Sequence, residues 1–214
     1  MSVSPVDFAS LLCSRLCHDL LSPVGALNNG LELLGDEPDE EMRARVFVLL
    51  SESARTSANK LKFFRLAFGA GGGFGERIDV REAKTAIEGL LADNKRTSLG
   101  WMVEGDALPK TAIKVLLNLA LIANEALVRG GTLDVAGEEN GGQIEIAVKI
   151  EGPRIILDPD LRRTLADGAG EGDVTPRAAA AYLVNTLVAE AGGTVQVSEP
   201  AESVMILGAV FNAG

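Results

Sequence analysis

Residues 15–27 read RLCHDLLSPVGAL, and this stretch decides how the first third of the chain folds. Apolar residues recur in it at helical spacing. Leu20, Leu27 and Leu34 lie seven residues apart, which is the spacing of a seam in a helix bundle. On an ideal helix this seam lies roughly opposite His18, at about 160–200° around the axis. We therefore predict a long helix that turns its leucines toward a core and His18, the single histidine of the chain, toward solvent.

The side chains that share the His18 face are mostly small or polar, which leaves room for another protein to approach closely. Residues within about 60° of His18 on the ideal helix, or at the margin of that sector, are therefore candidates for partner docking. An ordinary solvated face would show the same pattern. Arg15 is expected either to offset the charge of an acidic partner or to be a solvated surface cation. The candidates are Ser14, Arg15, Leu21, Ser22 and Gly25.

Two further residues make this face look reactive. Pro23 lies inside the apolar pattern, where a proline removes a helical hydrogen bond and kinks the helix at a cost of about 3 kcal/mol or more. Something has to compensate for that cost, and a proline soon after an exposed histidine is typical of a reactive helix. A neutral imidazole can act as a nucleophile, and Asp19 can orient its other ring nitrogen or accept the proton from it. Asp19 could equally be a plain surface acid.

The rest of the sequence predicts a second helix and then an α/β segment. Gly and Pro at 35–38 predict a turn into an antiparallel helix at about 39–68. The glycine-rich run at 69–75 predicts a linker between a domain at 1–70 and another at 76–214. In the second domain we expect strands and helices to alternate, with two antiparallel hairpins and a Gly- and Asp-rich stretch at 158–173. This order predicts a sheet with helices on one face.

Charge and hydropathy exclude several classes of function. The net charge of −10 argues against binding to nucleic acid or to anionic lipid. The sequence has no run of 18 uncharged apolar residues, and its start lacks the features of a signal peptide, so we predict a cytoplasmic location. Cys13 and Cys17 are expected to be reduced core or boundary residues. A disulfide one helical turn long would be strained, and with His18 they supply only three potential metal ligands, so no metal site is expected.

The motif HDLLSP at 18–23 resembles the H-[ED]-x-x-x-P box of dimeric histidine kinases. With their neighbours, residues 15–27 are more closely similar to the ChpT family of alphaproteobacterial histidine phosphotransferases. LAFGA at 66–70, AAYLVN at 180–185 and AGG at 191–193 fit that family too, so the resemblance covers nearly the whole chain. It implies an α+β fold: an N-terminal helical hairpin that forms a dimeric four-helix bundle, and a C-terminal α/β sandwich resembling a degenerate histidine-kinase ATPase (Bergerat) domain.

The resemblance also implies a function. A hybrid kinase's receiver domain gives a phosphoryl group to the family's histidine, which passes it to response regulators. His18 would be the phosphorylated residue and Asp19 its neighbouring acid. The partners would be these receiver domains and a second copy of the chain. Nucleic acid and membranes are not expected as partners. No cofactor is expected in this chain, because the receiver domain of the partner can supply Mg²⁺.

The second domain keeps only pieces of the nucleotide site that working kinases of this type need. Asn118 and Asn124 remain from an Asn-rich helix, and we expect them to be structural or interface residues. Where D-x-G-x-G should follow a strand, residues 151–154 read EGPR and lack the Asp that reads adenine. GAGEG at 168–172 resembles a phosphate lid, but acids flank it and would repel a triphosphate. We therefore expect no ATP binding, while an autophosphorylating kinase and a non-catalytic dimeric scaffold stay open as alternatives.

Overall fold

The computed structural model describes residues 3–69, 76–92, 94, 96–169, 174–199 and 203–213. The chain forms a helical hairpin followed by an α/β part, which confirms the expected α+β class. None of the helices in the described ranges has the length and hydropathy needed to cross a bilayer. The helices are α1 (Pro5–Asp36), α2 (Glu40–Ala67), α3 (Val80–Leu91), α4 (Lys110–Ala126), α5 (Pro159–Asp167) and α6 (Ala179–Glu190), with a one-turn 3-10 helix at Pro176–Ala178. The strands are β1 (Arg77–Asp79), β2 (Thr97–Val103), β3 (Ala107–Pro109), β4 (Gly131–Asn140), β5 (Gln143–Glu151), β6 (Thr194–Val197) and β7 (Val204–Asn212).

The main sheet has the strand order β2-β4-β5-β7-β6. Its β4–β5 and β6–β7 pairs are the predicted antiparallel hairpins. Strand β2 runs parallel to β4, and the chain between these two strands includes α4. Val135, Val148 and Leu207 lie side by side in register and are fully buried in the core that the sheet forms with the helices. The short β3, which the sequence analysis did not predict, pairs with β1 apart from the main sheet.

The helical hairpin begins and closes through side-chain contacts with backbone groups. The Ser4 hydroxyl accepts a hydrogen bond of 3.1 Å from the N–H of Asp7, and Pro5 occupies the first turn of α1, two features that favour a helix start. At the other end of α1, Arg43 Nη1 donates to the carbonyl of Leu34 at 2.8 Å. This bond satisfies one of the carbonyls that a helix end leaves without an internal partner.

Both ends of the hairpin are packed into the α/β part. Phe63 and Ala67, at the end of α2, are fully buried in its core, and Asn118 Nδ2 donates to the Ala67 carbonyl at 3.0 Å. Near the start of α1, the ring of Phe8 lies 5.1 Å from the ring of Tyr182, measured between centroids. The predicted boundary at 70–75 lies outside the described residues, and the division into two domains stays a prediction.

The Gly- and Asp-rich stretch at 158–173, in which no helix was predicted, contains α5 in its first half. The Asp158 carboxylate caps this helix by accepting from the N–H of Asp160 at 2.9 Å. Leu161 and Leu165 are buried in the main core, so a short amphipathic face supports a helix that its polar composition conceals.

A close approach of α1 and α2 at Gly30 generates a stability prediction. A Cβ at Gly30 would lie 2.7 Å from Leu50 Cδ2, so Gly30→Leu should overpack the contact and lower the free energy of unfolding by about 1–3 kcal/mol. The matched control is Gly25→Ala on the same helix. A Cβ at Gly25 meets nothing within 4 Å, so alanine should raise that free energy by up to about 1 kcal/mol. Urea unfolding measures both, and equal stabilities would contradict the close approach.

Candidate functional site

His18 projects from the middle of α1 into solvent, with 85% of its side chain exposed. This position agrees with the helical-phase prediction. Its Nδ1 lies 3.1 Å from Oδ1 of Asp19. The imidazole therefore keeps Nε2 open, without a hydrogen-bond partner among the described residues.

Asp19 is held from two helices and is only 18% exposed. Its Oδ2 accepts from Arg15 Nε at 2.8 Å, so its two carboxylate oxygens serve different partners. Its backbone carbonyl accepts from Lys60 Nζ of α2 at 2.9 Å. The carboxylate is thus fixed in a position from which it can orient His18, as predicted for Asp19; that role stays a prediction.

Lys60 supplies the compensation that Pro23 requires. A proline has no N–H, so the carbonyl four residues before it, that of Asp19, loses its helical donor. Lys60 Nζ donates to this carbonyl instead, while α1 continues unbroken through the buried Pro23. The sequence analysis missed Lys60, although a hairpin that turns near residue 38 places it at the level of Asp19. The kink itself stays a prediction.

Arg15 corrects one expectation, because it is not a solvated surface cation. Only 7% of its side chain is exposed. Besides the bond to Asp19, Arg15 Nη2 pairs with the carboxylate of Glu125 on α4, and Nη1 donates to the carbonyl of Arg177 at 3.1 Å. Burial lowers the pKa of Arg15, but the Glu125 and Asp19 carboxylates outweigh this effect and raise it, so Arg15 remains charged.

Glu125 is the main site residue that the sequence analysis missed. Burial raises its pKa; the charge of Arg15 opposes that rise and the charge of Asp19 adds to it. A signal for Glu125 existed, because it is the only acid in α4, a helix whose residues are mostly apolar. The isolated helical wheel of α1 could not show that this acid packs against Arg15.

The site opens into a cleft of about 660 Å³ between α1 and the α/β part. Of the predicted docking residues, Ser14 and Arg15 lie in this cleft, whereas Ser22 lies with Pro23 in a second cleft between α1 and α2. Leu21 and Gly25 line neither, although Leu21 is exposed. Docking at these positions stays a prediction. The first cleft is lined by Ser14, Arg15, His18, Asp19, Glu125, Thr175, Pro176 and Arg177.

The cysteines correct a second expectation. Cys13 and Cys17 are free thiols, as predicted, but both are exposed in the single chain and are not core or boundary residues of it. No cluster of three or more His, Cys, Asp or Glu side chains within the described ranges is arranged to hold a metal ion.

Remnants of the nucleotide boxes have packing roles here. Asn118 is fully buried and binds the end of α2 through Ala67. Gly152 lies where a Cβ would meet a backbone oxygen of the neighbouring loop at 2.5 Å, so packing alone requires a glycine there. The amide oxygens of Asn118 and Asn124 find no hydrogen-bond partner among the described residues. Residues 170–172 of the lid-like stretch lie outside the described residues, and the expected absence of ATP binding stays a prediction.

Comparison with known proteins identifies the family. A family model described as histidine phosphotransferase C-terminal domain matches residues 80–203. Protein phosphotransferase ChpT of Brucella abortus (strain 2308) is 34% identical over 206 residues, which are 96% of this chain and 96% of that protein. The chain belongs to the ChpT family of histidine phosphotransferases.

A solved structure of a phosphotransferase is similar to this chain over its whole length. It is described as a bacterial phosphotransferase at 1.7 Å, and it aligns with a TM-score of 0.84 and 32% sequence identity over 98% of both chains. This chain therefore shares both the helical hairpin and the α/β part with that phosphotransferase. The predicted resemblance to the ChpT family is confirmed by the relative from Brucella abortus, which matches over nearly the whole chain.

The hydrogen bond from Lys60 to the Asp19 carbonyl, which replaces a bond within the helix, generates a second prediction. Lys60→Met should lower the free energy of unfolding by about 1 kcal/mol, because the Asp19 carbonyl loses its donor. In a Pro23→Ala background the same change should have a smaller effect, since an alanine N–H can bond that carbonyl within the helix. Urea unfolding of the four proteins gives the coupling energy between the two positions. Strictly additive effects would show that Lys60 does not compensate for Pro23.

Proposed function

We propose that this ChpT-family protein carries phosphoryl groups between receiver domains in a phosphorelay, and that His18 is the residue it uses. Family membership supports the class of chemistry. The observation that supports the residue is that the single histidine of the chain is exposed, with Nδ1 occupied by Asp19 and Nε2 open.

In the proposed transfer, Nε2 attacks the phosphorus of an aspartyl phosphate on the donor receiver domain. The N–P bond forms as the acyl O–P bond breaks, and the donor aspartate leaves as a carboxylate. The proton on Nδ1 stays on the ring, where the Asp19 carboxylate stabilises the positive charge that the imidazole acquires. Attack by an aspartate of a response regulator on the phosphohistidine then reverses the step and discharges His18.

The cleft beside His18 supports the same proposal. Arg177 lines it with a mostly exposed guanidinium, which lies 3.6 Å from the carboxylate of Asp158. A cation at this position can compensate phosphoryl charge during transfer, whereas the buried Arg15 is committed to carboxylates within the chain. Because the cleft has walls from α1 and from the α/β part, a receiver domain docked at His18 can contact both. The Mg²⁺ of the reaction is proposed to be held by that receiver domain.

Labelling experiments separate this proposal from the two alternatives. Wild type should become labelled by a receiver domain that carries ³²P-aspartyl phosphate and should stay unlabelled with ³²P-ATP alone. His18→Ala should accept no label, because the chain has no other histidine, while Ser10→Ala on the same helix should behave as wild type.

Each contrary outcome of the labelling has a definite meaning. Labelling by ATP alone would favour the autophosphorylating kinase. No labelling of wild type by any receiver domain of the host would favour the scaffold. Labelling of His18→Ala would place the phosphoacceptor elsewhere.

We also propose that the hairpin dimerises into a four-helix bundle. Two rows of exposed apolar or small residues, spaced seven apart, run along one side of the hairpin. A second hairpin would bury these rows, which a single chain leaves in water. The heptad rows are Cys17, Val24 and Leu31 on α1, and Phe47, Ala54 and Leu61 on α2.

Charged substitutions in the heptad rows test the dimer. Leu31 and Phe47 are 60% and 54% exposed in the protomer, so Leu31→Asp with Phe47→Asp should break the dimer without unfolding the chain. Light scattering at micromolar concentration should show twice the chain mass of 22.4 kDa for wild type and the single mass for the variant. Met102→Asp, an equally exposed apolar position on the sheet, is the matched control and should stay dimeric. A monomeric wild type would overturn the proposal.

A further inference from the structure

We propose that Glu125, acting through Arg15, is a positioning residue that holds the Asp19 carboxylate in the orientation that His18 requires. The inference rests on the proposed function, because it concerns how the phosphoacceptor is prepared for attack. Glu125 belongs to α4 of the α/β part. That part would then contribute to the reactivity of the histidine without any nucleotide.

Arg15 is the link, and each of its three nitrogens has a different acceptor. Nε binds Asp19 at 2.8 Å, Nη1 binds the carbonyl of Arg177 at 3.1 Å, and Nη2 pairs with Glu125. The first acceptor belongs to α1 and the other two to the α/β part. A planar guanidinium with all three edges engaged and 7% exposure has little freedom to rotate.

Asp19 divides its two carboxylate oxygens between Arg15 and His18. Oδ2 takes the Arg15 Nε donor, and Oδ1 lies 3.1 Å from His18 Nδ1. An imidazole that donates from Nδ1 is in the tautomer that leaves the Nε2 lone pair free. The division of the two oxygens therefore determines which ring nitrogen can attack phosphorus.

By pairing with Arg15 Nη2, Glu125 leaves only Nε of that guanidinium for Asp19. The second oxygen of Asp19 therefore stays available to His18. An arginine fork binds a lone carboxylate preferentially through two parallel hydrogen bonds. Without the Glu125 charge, Arg15 is free to turn and take both oxygens of Asp19. His18 Nδ1 would then lose its acceptor, and the proton could move to Nε2, which blocks attack.

The inference predicts a chemical signature that a purely structural role would not produce. Imidazole ¹⁵N shifts distinguish the two neutral tautomers, and the chain has one histidine to observe. At a pH about two units above the ordinary histidine pKa, wild type should show a protonated Nδ1 and an unprotonated Nε2. Glu125→Gln should move the population toward protonated Nε2. Its maximal phosphotransfer rate should fall about ten- to a hundredfold, with the affinity for the donor receiver domain unchanged.

Two variants keep the test interpretable. Glu125→Asp retains the charge and should recover a large part of both the tautomer and the rate. Glu82→Gln makes the same change in charge at another contact between the hairpin and the α/β part, where Glu82 Oε1 lies 3.7 Å from Arg65 on α2, far from His18 in the chain. It should leave the tautomer and the rate at wild-type values. Circular dichroism confirms that each variant is folded before it is compared.

The outcomes separate this inference from the proposed function. A wild-type protein with protonated Nε2 overturns the inference without any variant, as does a Glu125→Gln protein that matches Glu82→Gln in tautomer and rate. A slower Glu125→Gln with the wild-type tautomer also overturns it, because Glu125 would then act on docking. A wild type that accepts no phosphoryl group overturns the proposed function, whatever the tautomer.

Discussion

The buried guanidinium of Arg15 is the interaction on which the arrangement of the site depends. It joins a carboxylate beside the histidine to a carboxylate of a different part of the fold; Arg15 itself is buried, and both carboxylates are partly shielded from solvent. Removing one partner from such a pair strands a buried charge, at a cost of about 3–5 kcal/mol in typical proteins. The position of α1 against α4 is therefore fixed at the level of His18, where small displacements would matter for chemistry.

Around Asp19, helix α1 loses one internal hydrogen bond and still continues as a helix. Pro23 frees the Asp19 carbonyl, and Lys60 from the neighbouring helix binds it. One residue is then restrained through its side chain by Arg15 and through its main chain by Lys60. The exposed imidazole of His18 makes its hydrogen bond to Asp19. Because Asp19 is restrained, it can orient the imidazole without other side chains packing around the ring.

The sequence predicted the features that depend on a single helix. It did not predict the contacts that form where two elements pack together. The exposure of His18 follows from helical phase alone, and the start of α1 at Ser4 follows from capping. Arg15 sits on the same wheel sector as His18, yet it is buried, because only tertiary structure brings Glu125 against it. The helix α5 was missed because its two buried leucines are outnumbered by polar residues. The bounds of the second helix, predicted at about 39–68, are close to those observed, Glu40–Ala67, because a turn signal and the apolar pattern define them locally.

The same physics explains how the α/β part can keep its shape if it no longer binds a nucleotide. Asn118 ties α4 to the end of α2, and Gly152 fits a space that admits no side chain. Both residues have packing roles that need no ligand. Glu125 adds a constraint of another kind, since its charge balances a cation that His18 needs indirectly. The α/β part would then be needed even if every phosphoryl group reaches His18 from another protein. Its contribution is Glu125, without which Arg15 on α1 lacks one of its two carboxylate partners.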